Sequence, residues 1–263
     1  MELEDPDFPP LISGNSVSAG ENPADVAFEM ARAGKAEAGD LFWSRDTHAA
    51  SLAIILEPES KAEDALCMAP LAMVVVSDSI GAIGPPNLPI TFDWPKTILA
   101  NGAVVGGVEI RFPEQTKSAD VPSFMVMSLH LNISWRTGAE SSQTSSDFEP
   151  GKSLMRTVLH EEGAGDLDRS IIIGSWARHF TAWIDTWEQD GFKSVHENWL
   201  FRADKRNEMM TVETQSGLEQ GVLIGMDEKG GLLLKQNGVT KLISLRDVWF
   251  EPGDKPSAEK VLQ

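Results

Sequence analysis

Asn101-Gly102, set between two β-rich apolar runs, restricts this chain more than any other pair of residues. Asn-Gly supplies positive φ at both central positions of a tight turn, so flanking apolar runs must fold back as a β-hairpin. One arm is read from Phe92 to Ala100 and the other from Ala103 to Phe112. The first opens on Trp94-Pro95, where the proline holds Trp94 extended and removes a ladder donor. The second carries Gly106-Gly107, and paired glycines inside a strand mark a bulge or the close approach of a backbone or ligand. From the hairpin alone, a core tryptophan beside two bend-relieving glycines and a ligand-facing pair both stay open.

Before the hairpin, residues 1–21 have turn composition and read as a mobile tail or extended arm. Asn22 as N-cap and Pro23 at the first helical position predict a helix ending near Gly34. Leu41-Phe42-Trp43 and Leu52 to Leu56 predict two strands joined through Arg45-Asp46-Thr47-His48. From Glu63 to Ile83, apolar residues recur at three- and four-residue steps, predicting an amphipathic helix with Pro70 at a kink or in its true first turn. Phe124 to Ile133 predicts a long strand, 136–152 a polar loop, and the stripe Ile173, Trp176, Phe180, Trp183, Trp187 a long helix facing the core. A short helix carrying Val195, Trp199 and Leu200 follows. Beyond a charged run at Asp204 to Asn207, Val212 to Phe250 alternates in short strands with tight Gly turns, as in a small SH3-like barrel.

Composition narrows the function. Cys67 is the single cysteine, which excludes an internal disulfide and a multi-cysteine metal site, and the five histidines are scattered, so no metal site is expected. Forty acidic against 22 basic residues give a formal charge of −18, which repels phosphate backbones and argues against nucleic acid as a partner. No apolar run is read as approaching membrane-spanning length and the start lacks the basic region of a signal peptide, so a cytoplasmic protein without membrane association is expected.

The Trp-Pro opening, the turn and the Gly-Gly arm together resemble the central hairpin of the biotin protein ligases, whose pattern is Trp-Pro-Asn-Asp, a turn, then Lys-x-x-Gly-Ile. Further stretches match in order. Asn132 falls where this superfamily has Gly-Ile-Gly-Ile-Asn, with Ser128 and His130 in place of the glycines. Thr157-Val158-Leu159-His160-Glu161-Glu162 resembles the family's Thr-Ser-Leu-x-Glu-Glu segment, and Gly225, Asp227, Gly230, Leu232 and Leu233 reproduce a spacing of its terminal barrel. The chain is therefore identified as a member of the biotin/lipoate protein ligase superfamily. That resemblance implies an α+β fold, a mixed β-sheet flanked by helices over 22–205, followed by an SH3-like barrel over 206–252 and a tail over 253–263. No helix-turn-helix of the kind some biotin ligases carry fits the acidic start.

The family reaction joins biotin or lipoate to a carrier-protein lysine through an acyl-adenylate, which implies ATP, Mg, biotin or lipoate, and a biotinyl or lipoyl carrier domain; a homodimer is left open. Bringing a carboxylate to the α-phosphorus of ATP needs cations, because two anions meet. Here the family's lysine position is Val104, and the Asn-Asp after Trp-Pro is Lys96-Thr97. The long Gly/Arg loop that closes over the adenylate is absent, leaving Arg45 and His48. The candidate set is Lys96 as a replacement cation, paired with Asp93, and Arg45, His48, Trp94, Thr97, Gly106, Gly107 and Asn132 as ligand contacts. Three readings follow: an active acyl-protein ligase with an altered site, a non-catalytic module that binds a biotin-like, lipoyl-like or nucleotide ligand or a carrier domain, and an acyltransferase using Cys67; standard biotin ligation is expected to be weak or absent.

Overall fold

A computed structural model describes residues 4–136 and 155–250. The polar loop read over 136–152 lies, but for its first residue, outside the described residues, as does the tail over 253–263.

Among the described residues seven strands form the main sheet: β1 Ser13–Val17, β2 Asp40–Ser44, β3 Ala49–Leu56, β4 Ile90–Asp93, β5 Thr97–Ala100, β6 Ala103–Arg111 and β7 Met125–Asn132. Their order is β1-β2-β3-β7-β6-β5-β4. β1 runs parallel to β2 and the remaining pairs are antiparallel, so the sheet is mixed. The segment expected as a tail or arm thus holds the edge strand β1.

Helix α1, Pro23–Arg32, begins as the sequence implied: the Asn22 side chain accepts from the Ala24 amide and Pro23 takes the first turn. It covers one end of one sheet face, where Ala27 and Phe28 pack with Phe42, Ile55 and Val126. The opposite face is covered by α3, Met68–Ile83, and α4, Arg169–Asp190. Two sequence expectations change here. The single amphipathic helix is α2, Ala62–Ala65, followed by α3, with Pro70 in the first turn of α3 where its missing N–H costs nothing. And α3 is buried nearly all round, because the sheet lies beneath it while α4 and α5, Lys193–Phe201, flank it. Ala62–Ile83 is, contrary to expectation, apolar and long enough to cross a membrane, with mean hydropathy 1.9. Since 72% of that window is buried inside the protein, it is the central core helix.

The central hairpin also departs from its reading. Asn101 and Gly102 turn with φ of 49° and 80°, as Asn-Gly demands. The first arm, however, is two strands: the chain reverses at Trp94-Pro95-Lys96, around a cis Trp94–Pro95 bond, so β4, β5 and β6 form a meander. Sequence placed the proline within an arm because Trp-Pro fits extended backbone as well as a turn. In β6 the pairing jumps from Leu99↔Val104 to Ile98↔Gly106, leaving Val105 as a bulge.

A second, antiparallel sheet closes the chain in the order β11-β10-β9-β8, from β8 Met209–Thr214, β9 Gly217–Met226, β10 Leu232–Gln236 and β11 Val239–Ile243, with the short helix α6 Arg246–Trp249 after it. This is consistent with the small SH3-like barrel read from the alternation. Its inward residues Val212, Leu223, Leu232 and Leu234 join the same core as α3 and the main sheet. The turn Asp227–Gly231 docks on the body through three contacts: Trp94 Nε1 donates to Gly230 O at 2.9 Å, the Cys67 thiol donates to Lys229 O at 3.2 Å, and Lys229 Nζ reaches Asp64 at 2.7 Å.

Candidate functional site

Helix α1 covers only one end of its sheet face, and the uncovered part forms the floor of a cavity of about 980 Å³. One transverse row of the sheet crosses this floor, Thr97↔Gly107↔His130↔Ser51, on strands β5, β6, β7 and β3. Cross-strand partners share a face, so these residues present to the cleft together. Trp249 of α6 and Gln215 bring the C-terminal sheet region to the far wall.

The glycine pair has a steric cause. A Cβ on Gly106 would stand 2.0 Å from His130 O, and one on Gly107 2.8 Å from Lys96 O. No L side chain fits either place without moving backbone. Gly107 also leaves His130 without a side-chain neighbour on its β6 side.

Of the sequence candidates, Lys96, Thr97, Gly106 and Gly107 line this cavity, while Asn132 reaches its edge through a 3.2 Å hydrogen bond between Oδ1 and His130 Nε2. The others lie elsewhere. Trp94 is buried beneath the barrel turn, its indole N–H consumed by Gly230, so it clamps the two parts of the fold and does not face the cleft. Arg45 turns to the opposite side, where it pairs with Asp5 at 3.1 Å and lies 5.1 Å from the Trp43 ring. Strand alternation is the reason: Trp43 and Arg45 share one face of the chain, and Ser44 and Asp46 share the cleft side. His48 holds Ser134 Oγ at 2.9 Å, tying the β2–β3 connection to the end of β7.

Lys96 is paired, though not with Asp93. Its ammonium bonds the Glu109 carboxylate on β6 and lies 6.0 Å from the Trp249 ring. Asp93 is pushed up by burial, opposed by the charge of Lys205. The second cation of the cleft, Arg111, is likewise engaged, bonding Asp25 at 3.1 Å with its guanidinium 3.6 Å from the Phe28 ring. Among the described residues Glu21, Asp25, Asp46 and Glu109 line the cavity against Lys96 and Arg111, so carboxylates outnumber lysine and arginine by four to two. Asp46 is itself held by the His48 amide at 2.9 Å and by Arg136.

Cys67 offers no nucleophile. Burial first, then the charges of Asp64 and Asp227, push its thiol up to about 12, and its Sγ–H is already donated to Lys229 O. Among the described residues no group of three or more His, Cys, Asp or Glu stands as a metal site.

Ser51 and Glu109 escaped the sequence reading. Ser128 and His130 were visible only as departures from a glycine pattern; their alternation with Asn132 puts all three on one face, and only the β3–β7 register joins Ser51 to them.

A mixed seven-stranded sheet with helices on both faces and a small antiparallel sheet at the C-terminus match the fold of solved biotin protein ligases. The biotin protein ligase of Aquifex aeolicus superposes with a TM-score of 0.70 at 16% identity, over 89% of this chain and 97% of that one. A biotin protein ligase-like protein of unknown function from Silicibacter sp. TM1040 superposes with a TM-score of 0.77 at 29% identity, over 90% of this chain and 96% of that one. The sequence pattern of the Biotin/lipoate A/B protein ligase family matches residues 8–201, and the chain belongs to that family. Among relatives, it is 23% identical over 197 residues to the biotin–[acetyl-CoA-carboxylase] ligase of Paracoccus denitrificans, covering 75% of this chain and 78% of that protein. It is 22% identical over 220 residues to the bifunctional ligase/repressor BirA of Bacillus subtilis, covering 83% of this chain and 64% of that protein.

Proposed function

We propose that this member of the family binds a biotin-like or lipoyl-like acyl group, free or on a carrier domain, and that ATP-dependent adenylation is weak or lost. The observation that carries this reading is electrostatic. Among the described residues the lysine and the arginine lining the cleft are both ion-paired, Lys96 with Glu109 and Arg111 with Asp25, and the lining keeps a surplus of carboxylates.

A nucleoside triphosphate and a carboxylate brought together carry several negative charges, which a site must offset by fixed donors or cations. Loss of one such donor typically costs on the order of 10²–10³ in rate. Position 104, where the family resemblance places a lysine, is valine, and its backbone is bonded to Met155 and Thr157. Mg·ATP therefore does not fit the residues present. A neutral acyl chain and its amide or ester do fit a cleft floored by glycine, serine and threonine.

The Paracoccus relative is named for acting on acetyl-CoA carboxylase. A carrier domain of that class is the proposed partner, its modified lysine laid in the cleft. The test is thermal shift against biotin, lipoate and octanoate, with and without Mg·ATP, beside acid-dependent pyrophosphate exchange. A bound acid at a hundredfold excess over its Kd adds about 2.7 kcal/mol of stability, Mg·ATP adds nothing, and no exchange occurs. Acid-dependent exchange at the rate of an ordinary ligase refutes the reading.

A further inference from the structure

Three side chains in the cleft form a connected chain. Ser51 Oγ lies 2.7 Å from His130 Nδ1, and His130 Nε2 lies 3.2 Å from Asn132 Oδ1. Asn132 Oδ1 is an acceptor, which places the ring proton on Nε2; Nδ1 is then the acceptor for the Ser51 hydroxyl. Hydroxyl, imidazole and a carbonyl that fixes the tautomer occur in the order that activates a serine.

We propose that Ser51 is the nucleophile of an acyl-transfer site, with His130 as its general base and Asn132 as the positioning residue, acting on activated acyl groups, esters or thioesters, of the acids this cleft binds. The site rests on the acyl-binding reading given above. Ser51 and His130 are direct cross-strand partners on β3 and β7, so the rigid sheet ladder sets their separation. On the far side of His130 stands Gly107, which leaves a side-chain-free shelf along which an acyl chain reaches the pair. His130 is exposed and Ser51 half-buried, so both an incoming ester and water have access.

In the first half-reaction Ser51 Oγ bonds the acyl carbon as the carbon–sulfur or carbon–oxygen bond breaks. The serine proton passes to His130 Nδ1 and on to the leaving thiol or alcohol, while Asn132 Oδ1 holds the imidazolium formed. In the second, water attacks the acyl-serine, its proton passes through His130 back to Ser51 Oγ, and the carboxylic acid departs. No oxidant, metal or nucleotide enters, which suits a cleft ill-charged for ATP. The reading also relocates a function: the nucleophile sought at Cys67 is a hydroxyl on the opposite face of the sheet.

A fluorophosphonate probe, which forms a serine–phosphorus bond as fluoride leaves, is applied to the intact chain, and the labelled peptide is read by mass spectrometry beside hydrolysis of p-nitrophenyl octanoate. Labelling is expected at Ser51 and is lost in Ser51→Ala; His130→Ala slows both reactions at least ~100-fold, the usual contribution of a positioned base. Asn132→Asp retains the rate and Asn132→Leu loses it, a contrast that a purely structural asparagine would not produce. Circular dichroism melts of each variant separate loss of chemistry from loss of fold. Absence of labelling at Ser51 in folded wild-type protein, or labelling undiminished in His130→Ala, overturns the proposal. Thermal shift by octanoate is read in parallel: a shift without labelling removes the serine mechanism alone, whereas absence of both removes the acyl-binding reading as well.

Discussion

Gly106→Ala tests whether the cleft floor is built on backbone contact. The new Cβ would lie 2.0 Å from His130 O and 2.9 Å from Leu131 Cδ2. Carbon–oxygen contacts between strands settle at about 3.3–3.6 Å, so β6 and β7 must part by more than roughly 1 Å at this point. The ladder pairs Gly106↔Leu131 and Gly107↔His130 then stretch together. Two backbone hydrogen bonds at about 0.5–1.5 kcal/mol each, with about 1–3 kcal/mol of overpacking, predict a loss of about 2–6 kcal/mol. Gly165→Ala is the control, since nothing stands within 4 Å of its Cβ and its φ is not in the left-handed region. That substitution should change stability by no more than about 0.5 kcal/mol. Equilibrium urea unfolding followed by tryptophan fluorescence reads both, and a slope of about 1–3 kcal/mol/M turns 3 kcal/mol into a midpoint shift of about 1–3 M. Midpoints that coincide for Gly106→Ala and Gly165→Ala would refute the steric account.

Three further outcomes follow from the docked barrel turn. At pH 8 a thiol held at about 12 is thiolate in only ~10⁻⁴ of molecules, against ~10⁻¹ at its ordinary 9.0, so iodoacetamide should alkylate Cys67 about 10³-fold more slowly in native protein than in urea. The same burial links to stability: its contribution is full below pH 9 and is lost as pH rises toward 12, so Cys67→Ala should flatten alkaline unfolding between those limits, and identical pH profiles would count against it. Trp94→Phe removes the donor to Gly230 O and leaves that carbonyl short of a partner, at a cost of about 1–3 kcal/mol, which calorimetry should read as a Tm lower by about 2–12 °C. An unchanged Tm would show that Trp94 does not clamp the turn.

Local signals were the legible part of the sequence. Asn22-Pro23 opened α1 and Asn101-Gly102 turned the hairpin, because each pair satisfies its backbone requirement within a few residues. The family's architecture was legible too, since spaced motifs such as Trp94-Pro95, Asn132 and Gly225 to Leu233 keep their order however the details drift. What escaped depends on partners distant in sequence. The burial of α3 on all sides comes from α4 and α5, more than eighty positions later, and its three- and four-residue period resembles an amphipathic stripe until those helices are placed. The direction of Arg45 hung on strand parity, and the pairing of Ser51 with His130 on a register that no local pattern encodes.

Register also decides whether Lys96 replaces the missing cation at position 104. Counted out from the Asn101-Gly102 turn, Val104 falls opposite Leu99 and Lys96 opposite Gly107. In the sheet Val104 does face Leu99, three residues along β5 from Lys96, and the bulge at Val105 moves Lys96 one residue further on, so that its carbonyl accepts from the Val108 amide. Three residues of strand span about 10 Å. At that distance a charge across a water-filled cleft is attenuated by roughly a Debye length of ordinary salt. Glu109, by contrast, is in direct contact with the Lys96 ammonium. The lysine therefore acts where its backbone puts it, closing the β5–β6 rim against Glu109 and Trp249, and the floor between Gly107 and Ser51 is left to uncharged chemistry. A sheet that keeps its glycines while its cations bind its own carboxylates is suited to holding an acyl group and ill suited to gathering phosphates.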